Sequence, residues 1–354
     1  VSRLLGFLLF ISIFTGICLG GYYYILARLF SFFKCRQNLW FWLLLVFLAF
    51  GYIAFSMLER RYPCRVCEWL LRLSAIGLGV GWLALVVLLG HDFLYLIFRF
   101  PVTISRWVVV GVIGCLTVYS FINAWHIEIK SIDMPAPVDM TIAQLSDIHR
   151  GSVSENHLRR LVRETNALCP DLVLITGDLL DPAGRLSAES IAPLNDLKAP
   201  VYWSTGNHER YAGLDKVMGM LKPTSVVPLR NEVADFKGIQ LIGIDDSEDH
   251  TKLRQVLPSL QFDPDVYTIL MYHRPDGFDA AAKAGVNLML SGHTHNGQIW
   301  PFNWVVQSRF KYVQGLHRID SLYLYVSTGS GTWGPPMRLG SRNQITLIRL
   351  KKND

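Results

Sequence analysis

Acidic residues are almost missing from the first third of this chain. Positions 1–125 hold only Glu59, Glu68 and Asp92, against ten Lys and Arg. After position 125 the balance is even, with 24 basic and 25 acidic residues. The formal net charge of +6 therefore belongs to the N-terminal part. The near-neutral remainder lacks the basic face that extended nucleic-acid contact requires, so no nucleic-acid partner is expected. Cysteine is also scarce. Of six, only Cys169 lies beyond position 125, which excludes a disulfide-built C-terminal domain. Cys64 and Cys67 form one CxxC with no second pair, which excludes a zinc ribbon. They read as loop thiols, or as a local disulfide where that loop faces an oxidising compartment. No internal repeat and no low-complexity tail is present.

The N-terminal part consists mainly of long apolar runs. Positions 4–27 and 39–58 carry no charge, and 73–90 and 107–125 are equally apolar. Each approaches the roughly 20 residues a helix needs to cross a bilayer core. Trp40, Trp42, Trp107 and Trp125 lie toward the run ends, where interfacial aromatics collect. The expected architecture is an all-α transmembrane bundle of four helices over 1–125, with the lipid bilayer as a partner, followed by a separate domain over 126–354. Flanking basic residues number six on one side and five on the other, which does not fix the orientation. An even number of spans and a short N-terminal tail favour a cytoplasmic domain, on a bacterial inner membrane.

The second part reads as α/β. HIEIKSI alternates as a strand does, and MPAPVD reads as a turn. MTIAQLSD, a helix over SENHLRRLVRETNALC with Ser154 as N-cap, and PDLVLITGD form a βαβ unit. Further strands follow in VYWST, IQLIG, YTILMY, NLMLS, LYLYV and QITLI. The implied domain has layered sheets with helices outside.

Polar groups stand at the carboxyl ends of these strands. They are Asp147 and His149, then Asp178 and Asp181, then Asn207, His208 and Glu209, then His273, then His293 and His295. Two histidines one residue apart fit an ordinary polar turn. Five loops ending alike at strand termini fit a ligand site, because α/β sheets bind beyond their carboxyl ends. Carboxylate, imidazole and amide donors without thiolate suit a pair of divalent ions, with Mn, Fe or Zn as candidates. Two such ions activate water and clamp a phosphoryl group.

DxH, GDxxD, GNHE, a lone His and GHTH occur in the order found in the calcineurin-like metallophosphoesterases, and the chain resembles that family over essentially all of 126–354. SDIHRG, GHTHNGQIWPFN and YVSTGSGTWGPPMRLG are similar to its YkuE- and YaeI-type bacterial phosphohydrolases. The resemblance implies a layered α/β/β/α sandwich. It also implies a first metal held by Asp147, His149 and His295, and a second held by Asn207, His273 and His293, with Asp178 bridging. His208 would act as general acid or charge stabiliser at the leaving oxygen. Asp181 and Glu209 would orient these groups, or serve as a turn cap and a loop brace. Arg150 would bind a substrate phosphate or pair on the surface.

The implied activity is metal-dependent hydrolysis of a phosphomonoester, phosphodiester or diphosphate. GDLLDPAG lacks the Arg-Gly that protein phosphatases of this superfamily carry after GDxxD, which disfavours that branch. Ile299, Trp300, Phe302, Trp304, Trp333 and Met337 read either as loop packing or as an apolar rim for a lipid-linked substrate, with Arg309, Lys311 and Arg338 as headgroup contacts. The competing class is a silent membrane sensor or scaffold, and its signature, a lost ligand, is absent from the sequence. Nothing indicates an oligomeric state.

Overall fold

The computed structural model describes residues 2–182 and 186–352, with side chains from residue 15 onward. Residues 183–185, which include the last two of the GDLLDPAG stretch, lie outside it. The chain forms two compact units, Val1–Phe121 and Ile122–Asp354.

The first unit contains α1 (Ser2–Phe32), α2 (Leu39–Arg61), α3 (Arg65–Phe98) and most of α4 (Val102–Trp125). Asn38 caps α2 through its side-chain oxygen, and Cys64 caps α3 by accepting from the Cys67 amide. The two sulfurs of Cys64 and Cys67 stand 2.9 Å apart. Arg99 ends α3 in the left-handed conformation, so this helix is 34 residues long and overruns the expected 73–90 on both sides. Among the described residues three helices, α2, α3 and α4, are long and apolar enough to cross a membrane, rather than the four expected. The expected span 4–27 falls in α1, whose first side chains lie outside the description. Only 22–33% of the apolar window of each of the three is buried within the protein. Apolar faces that open need a non-aqueous surrounding. Asp92 in α3 is tied to α1, accepting from Arg28 (2.5 Å) and Tyr24 (2.7 Å).

The second unit opens with β1 (Ile127–Ala136), β2 (Met140–Leu145), α5 (Glu155–Ala167) and β3 (Leu172–Thr176). Then follow β4 (Val201–Ser204), α6 (Asn207–Ala212), α7 (Leu214–Leu221), β5 (Val226–Pro228), β6 (Glu232–Phe236) and β7 (Ile239–Gly243). The chain continues through α8 (Lys252–Val256), β8 (Thr268–Met271), α9 (Phe278–Lys283), β9 (Leu288–Ser291), α10 (Phe302–Arg309), β10 (Gly315–Ile319), β11 (Leu322–Val326) and β12 (Asn343–Lys352). Two six-stranded sheets result, in the orders β1-β12-β2-β3-β4-β5 and β10-β11-β9-β8-β7-β6.

Strand alternation builds the layers. In β3, Leu172 and Leu174 face the other sheet, meeting Leu241, Ile269 and Leu290. Val173 and Ile175 face the opposite way, onto Leu158 and Leu161 of α5. In the second sheet Ile242, Leu270 and Met289 point outward to Leu253 and Ala281 of α8 and α9. Burial on both faces explains the unbroken apolar runs of these strands. The order is therefore helix, sheet, sheet, helix. Strands β2 to β5 run parallel to one another, as do β7, β8, β9 and β11, so their carboxyl ends share an edge within each sheet.

One local expectation changes. The MPAPVD stretch is not wholly a turn, since β1 runs on through Pro135 to Ala136. β1 is an edge strand paired only with β12, and an edge tolerates a residue without an amide hydrogen. We predict that Leu174→Ala, in the core between the sheets, destabilises the second unit by about 2–5 kcal/mol, whereas Val227→Ala on the exposed part of β5 leaves it nearly unchanged. Denaturant melts of the two variants measure this difference.

Candidate metal centre

The exits of β2 and β3 continue to hydrogen-bond beyond the strands. Asp147 donates its amide to Gly177 O (3.0 Å), His149 to Asp178 O (2.9 Å) and Arg150 to Leu179 O (2.9 Å). Asp147, His149 and Asp178 all have φ near +50°, and His293 and His295 have φ of 70° and 48°. For residues with a Cβ this left-handed backbone costs roughly 1–2 kcal/mol each. Such strain concentrates at functional sites, where the surrounding fold enforces it. Here it turns five polar side chains inward. Close approach also demands two glycines. A Cβ on Gly206 would overlap the Asp178 carboxylate, and one on Gly292 would overlap Ser146 and Asp147.

Two clusters that share no residue result, and a third group, His149 with Asp181 and His208, overlaps the first. In the first, His149 Nε2 lies 3.0 Å from His295 Nε2, and His295 Nε2 lies 3.3 Å from Asp147 Oδ1. In the second, His273 Nε2 lies 3.1 Å from Asp178 Oδ2 and 3.3 Å from His293 Nδ1. Asp178 Oδ2 is also 3.7 Å from His149 Nε2, so one carboxylate borders both clusters. Within each cluster the donor atoms fall inside 4.8 Å of one another, a spacing that suits an ion. Asn207, at the start of α6, presents a buried Oδ1 with no hydrogen-bond partner, which suits a metal ligand. The donor set is oxygen and imidazole only, which fits divalent Mn, Fe or Zn.

The surrounding groups fix these donors. Thr176 O accepts from His273 Nδ1 (2.9 Å), so Nε2 keeps its lone pair for the site. Ser146 Oγ donates to Asp147 Oδ2 (2.6 Å). Sequence reasoning passed over Ser146 and Thr176; their only signal is a polar residue closing an otherwise apolar strand. Glu209 is fully buried and accepts amide hydrogens from Asp178 (3.0 Å), Leu180 (2.9 Å) and Gly206 (2.7 Å), so it braces the β3 and β4 exits together. Asp181 lies 3.7 Å from His149 Nδ1 and 3.6 Å from His208 Nδ1 and accepts from Ser152 Oγ (2.5 Å). His208 donates its backbone amide to Asp178 Oδ1 (2.9 Å), and its ring stands edge-on to His149 at 4.6 Å.

A scan against family models matches residues 140–297 to the calcineurin-like phosphoesterases. A metallophosphoesterase of Aquifex aeolicus is 30% identical over 257 residues, covering 69% of this chain and 97% of its own length. The chain belongs to the calcineurin-like metallophosphoesterase family. A bovine transmembrane protein with a metallophosphoesterase domain is 34% identical over 69% of this chain and 60% of its own. YkuE of Bacillus subtilis is 29% identical over 64% of this chain and 84% of its own. The chain spans about three fifths of the length of the longer relatives it matches.

One basic residue of this metallophosphoesterase is not where the sequence suggested. Arg338, expected at a lipid headgroup, is 0% exposed and cannot reach one. Arg150 directs Nε to Ser190 O (3.0 Å) and Nη1 to Val153 O (3.0 Å), so these two donors brace backbone. Arg309 and Lys311 are exposed, and Arg309 Nη2 contacts His250 Nε2 at 3.0 Å. The aromatic stretch divides. Ile299 and Met337 are buried packing, whereas Trp300, Phe302, Trp304 and Trp333 are 43–61% exposed, and Trp333 stands 5.9 Å edge-on to His208.

Charge in this pocket is strongly shifted. Burial raises Asp147 to about 6, with Asp178 adding to the effect. Burial lowers His149 to about 4. For His208, burial opposes the charge, but the Asp178 and Asp181 carboxylates prevail and raise it to about 9. A histidine raised in the folded state contributes stability that is present below about 6.5 and lost as pH rises through about 9. We predict that Asp181→Asn in the metal-free chain moves the His208 titration to lower pH. Histidine-labelled NMR reads this directly; an unmoved titration would refute the pairing.

Proposed function

We propose that this chain is a membrane-anchored phosphohydrolase with two divalent ions, acting on a phosphomonoester, phosphodiester or diphosphate presented at a membrane surface. The observation that carries this reading is the pair of donor clusters bordered by one carboxylate, Asp178, with His208 beside them. In this reading Asp147, His149 and His295 would hold one ion and Asn207, His273 and His293 the other, with Asp178 bordering both. Bound there, a pair of divalent ions would supply Lewis-acid charge for the phosphoryl oxygens and for an attacking water.

The protein's own groups do the rest. His208, whose Nδ1 lies 3.6 Å from Asp181, would deliver a proton from its ring to the oxygen that leaves. Asp178 and Asp181 keep that proton in place by their charge. Glu209 and Asp181 keep His208 and Asp178 in register, through backbone amides and through the ring nitrogen. The edge of Trp333 beside His208 keeps bulk water from that side.

The lipid-linked substrate is supported by the exposed Trp300, Phe302, Trp304 and Trp333 and by the apolar helices. Aromatic rings of this kind favour the interface of a bilayer. A cytoplasmic placement of the second unit is our proposal for its orientation.

The full chain purified in detergent should hydrolyse a generic phosphodiester with Mn added and stop with chelator. His208→Ala should lower kcat by about 10²–10⁴-fold with KM little changed, and Asp178→Asn should lose bound metal. Metal-loaded protein that turns over no phosphoester would overturn the reading. For the lipid component, Trp300→Ala/Trp304→Ala should slow hydrolysis of a lipid phosphoester in mixed micelles and spare a soluble diester. Equal losses on both would remove the lipid assignment.

A further inference from the structure

Arg338 has no part in the chemistry above, yet it is buried beside it. Its side chain is 0% exposed, and among the described residues no carboxylate forms an ion pair with it. Its Nε finds no hydrogen-bond partner. A buried cation in that situation is costly to maintain unless its remaining donors are well used. Nη2 donates to the carbonyl oxygens of Thr328 (2.8 Å) and Gly331 (2.6 Å) and lies 3.2 Å from His295 Nδ1. Nη1 donates to Ser341 Oγ (3.1 Å) and points at His295 O (3.5 Å).

The turn that Arg338 gathers is itself laid on the β2 exit. Ser330 donates its amide to Ser146 O (2.6 Å), and Gly331 donates to Asp147 O (3.0 Å). Just before them Gly329 adopts φ +89°, and a Cβ there would press on Asp147, on the His295 ring and on Arg338 together. One guanidinium thus joins the two segments that carry Asp147, His149 and His295. Among the described residues its hydrogen bonds reach neither His273 nor His293. The loop of Arg338 is held in turn by Asn123, 7% exposed on the last turn of α4 and part of the second unit. Asn123 Nδ2 donates to Arg338 O (3.1 Å) and to Ser341 O (2.7 Å).

We propose that Arg338 is a positioning residue for the first metal cluster, clamping the His295 backbone and the Asp147–His149 segment together, and that Asn123 sets the loop from which it acts. This rests on the two-ion reading above. The planar fork matters, because a lysine has one nitrogen and cannot span Thr328, Gly331 and Ser341 at once.

The test is Mn titration of the metal-free full chain in detergent, by calorimetry and by counting tightly bound ions, for wild type, Arg338→Lys and Asn123→Ala. Wild type should bind two ions. Arg338→Lys should keep one at wild-type affinity and bind the other about 10–100-fold more weakly, as loss of an outer partner of a ligand does. Asn123→Ala should weaken the same ion by a smaller factor. Two ions bound normally by both variants would overturn the proposal, as would equal weakening of both ions with a lowered melting temperature. If Arg338→Lys fails to fold, Asn123→Ala decides alone: selective weakening supports the clamp, and unchanged binding overturns it. A wild type that binds fewer than two ions would instead overturn the two-ion reading, and this inference with it.

Discussion

The Asp178 carboxylate is the constraint on which the rest of the second unit converges. One oxygen accepts the His208 amide at 2.9 Å, and the other lies between His273 at 3.1 Å and His149 at 3.7 Å. Such an arrangement requires a carboxylate at the end of β3 with its backbone turned left-handed, a glycine opposite at position 206, and Glu209 capturing the Asp178 amide. It also requires repulsion among buried acids to be offset. In the absence of ions, protons on His208 and His273 supply the positive charge. A divalent cation would meet the same demand more fully, and this gives the physical case for metal in a pocket otherwise lined by buried carboxylates.

Two sheets rather than one make that convergence possible. Asp147, Asp178 and Asn207 follow parallel strands of the first sheet, whereas His273, His293 and His295 follow parallel strands of the second. The apolar layer between Leu172, Leu174, Leu241, Ile269 and Leu290 holds the two edges together. Cavities in that layer would be felt at the site, since packed interiors transmit displacement. The 328–331 turn and Arg338 add a third wall over the first cluster.

Much of this was legible in the sequence. Apolar runs with a polar residue at the carboxyl end mark each exit, and their chain order suffices to suggest the family. Other features follow from packing and leave no such mark. Aspartate and histidine favour a left-handed backbone too weakly to mark individual positions, so the strain at Asp147, His149, Asp178, His293 and His295 is visible only in three dimensions. Arg338 reads as a surface cation because arginine is seldom buried, and only the fold shows carbonyl oxygens taking the place of solvent. The strand through Pro135 escapes local rules because its tolerance depends on lying at an edge. In the first unit, hydropathy marks the helices but not their ends, which are set by Asn38, Cys64 and Arg99.

The central claim is that one carboxylate joins two ions in a single pocket. Electron paramagnetic resonance of the Mn-loaded full chain tests it most directly. The account predicts a spin-coupled spectrum from two Mn ions, replaced by uncoupled or absent signal in Asp178→Asn. A spectrum of isolated Mn alone in the fully loaded wild type would contradict it.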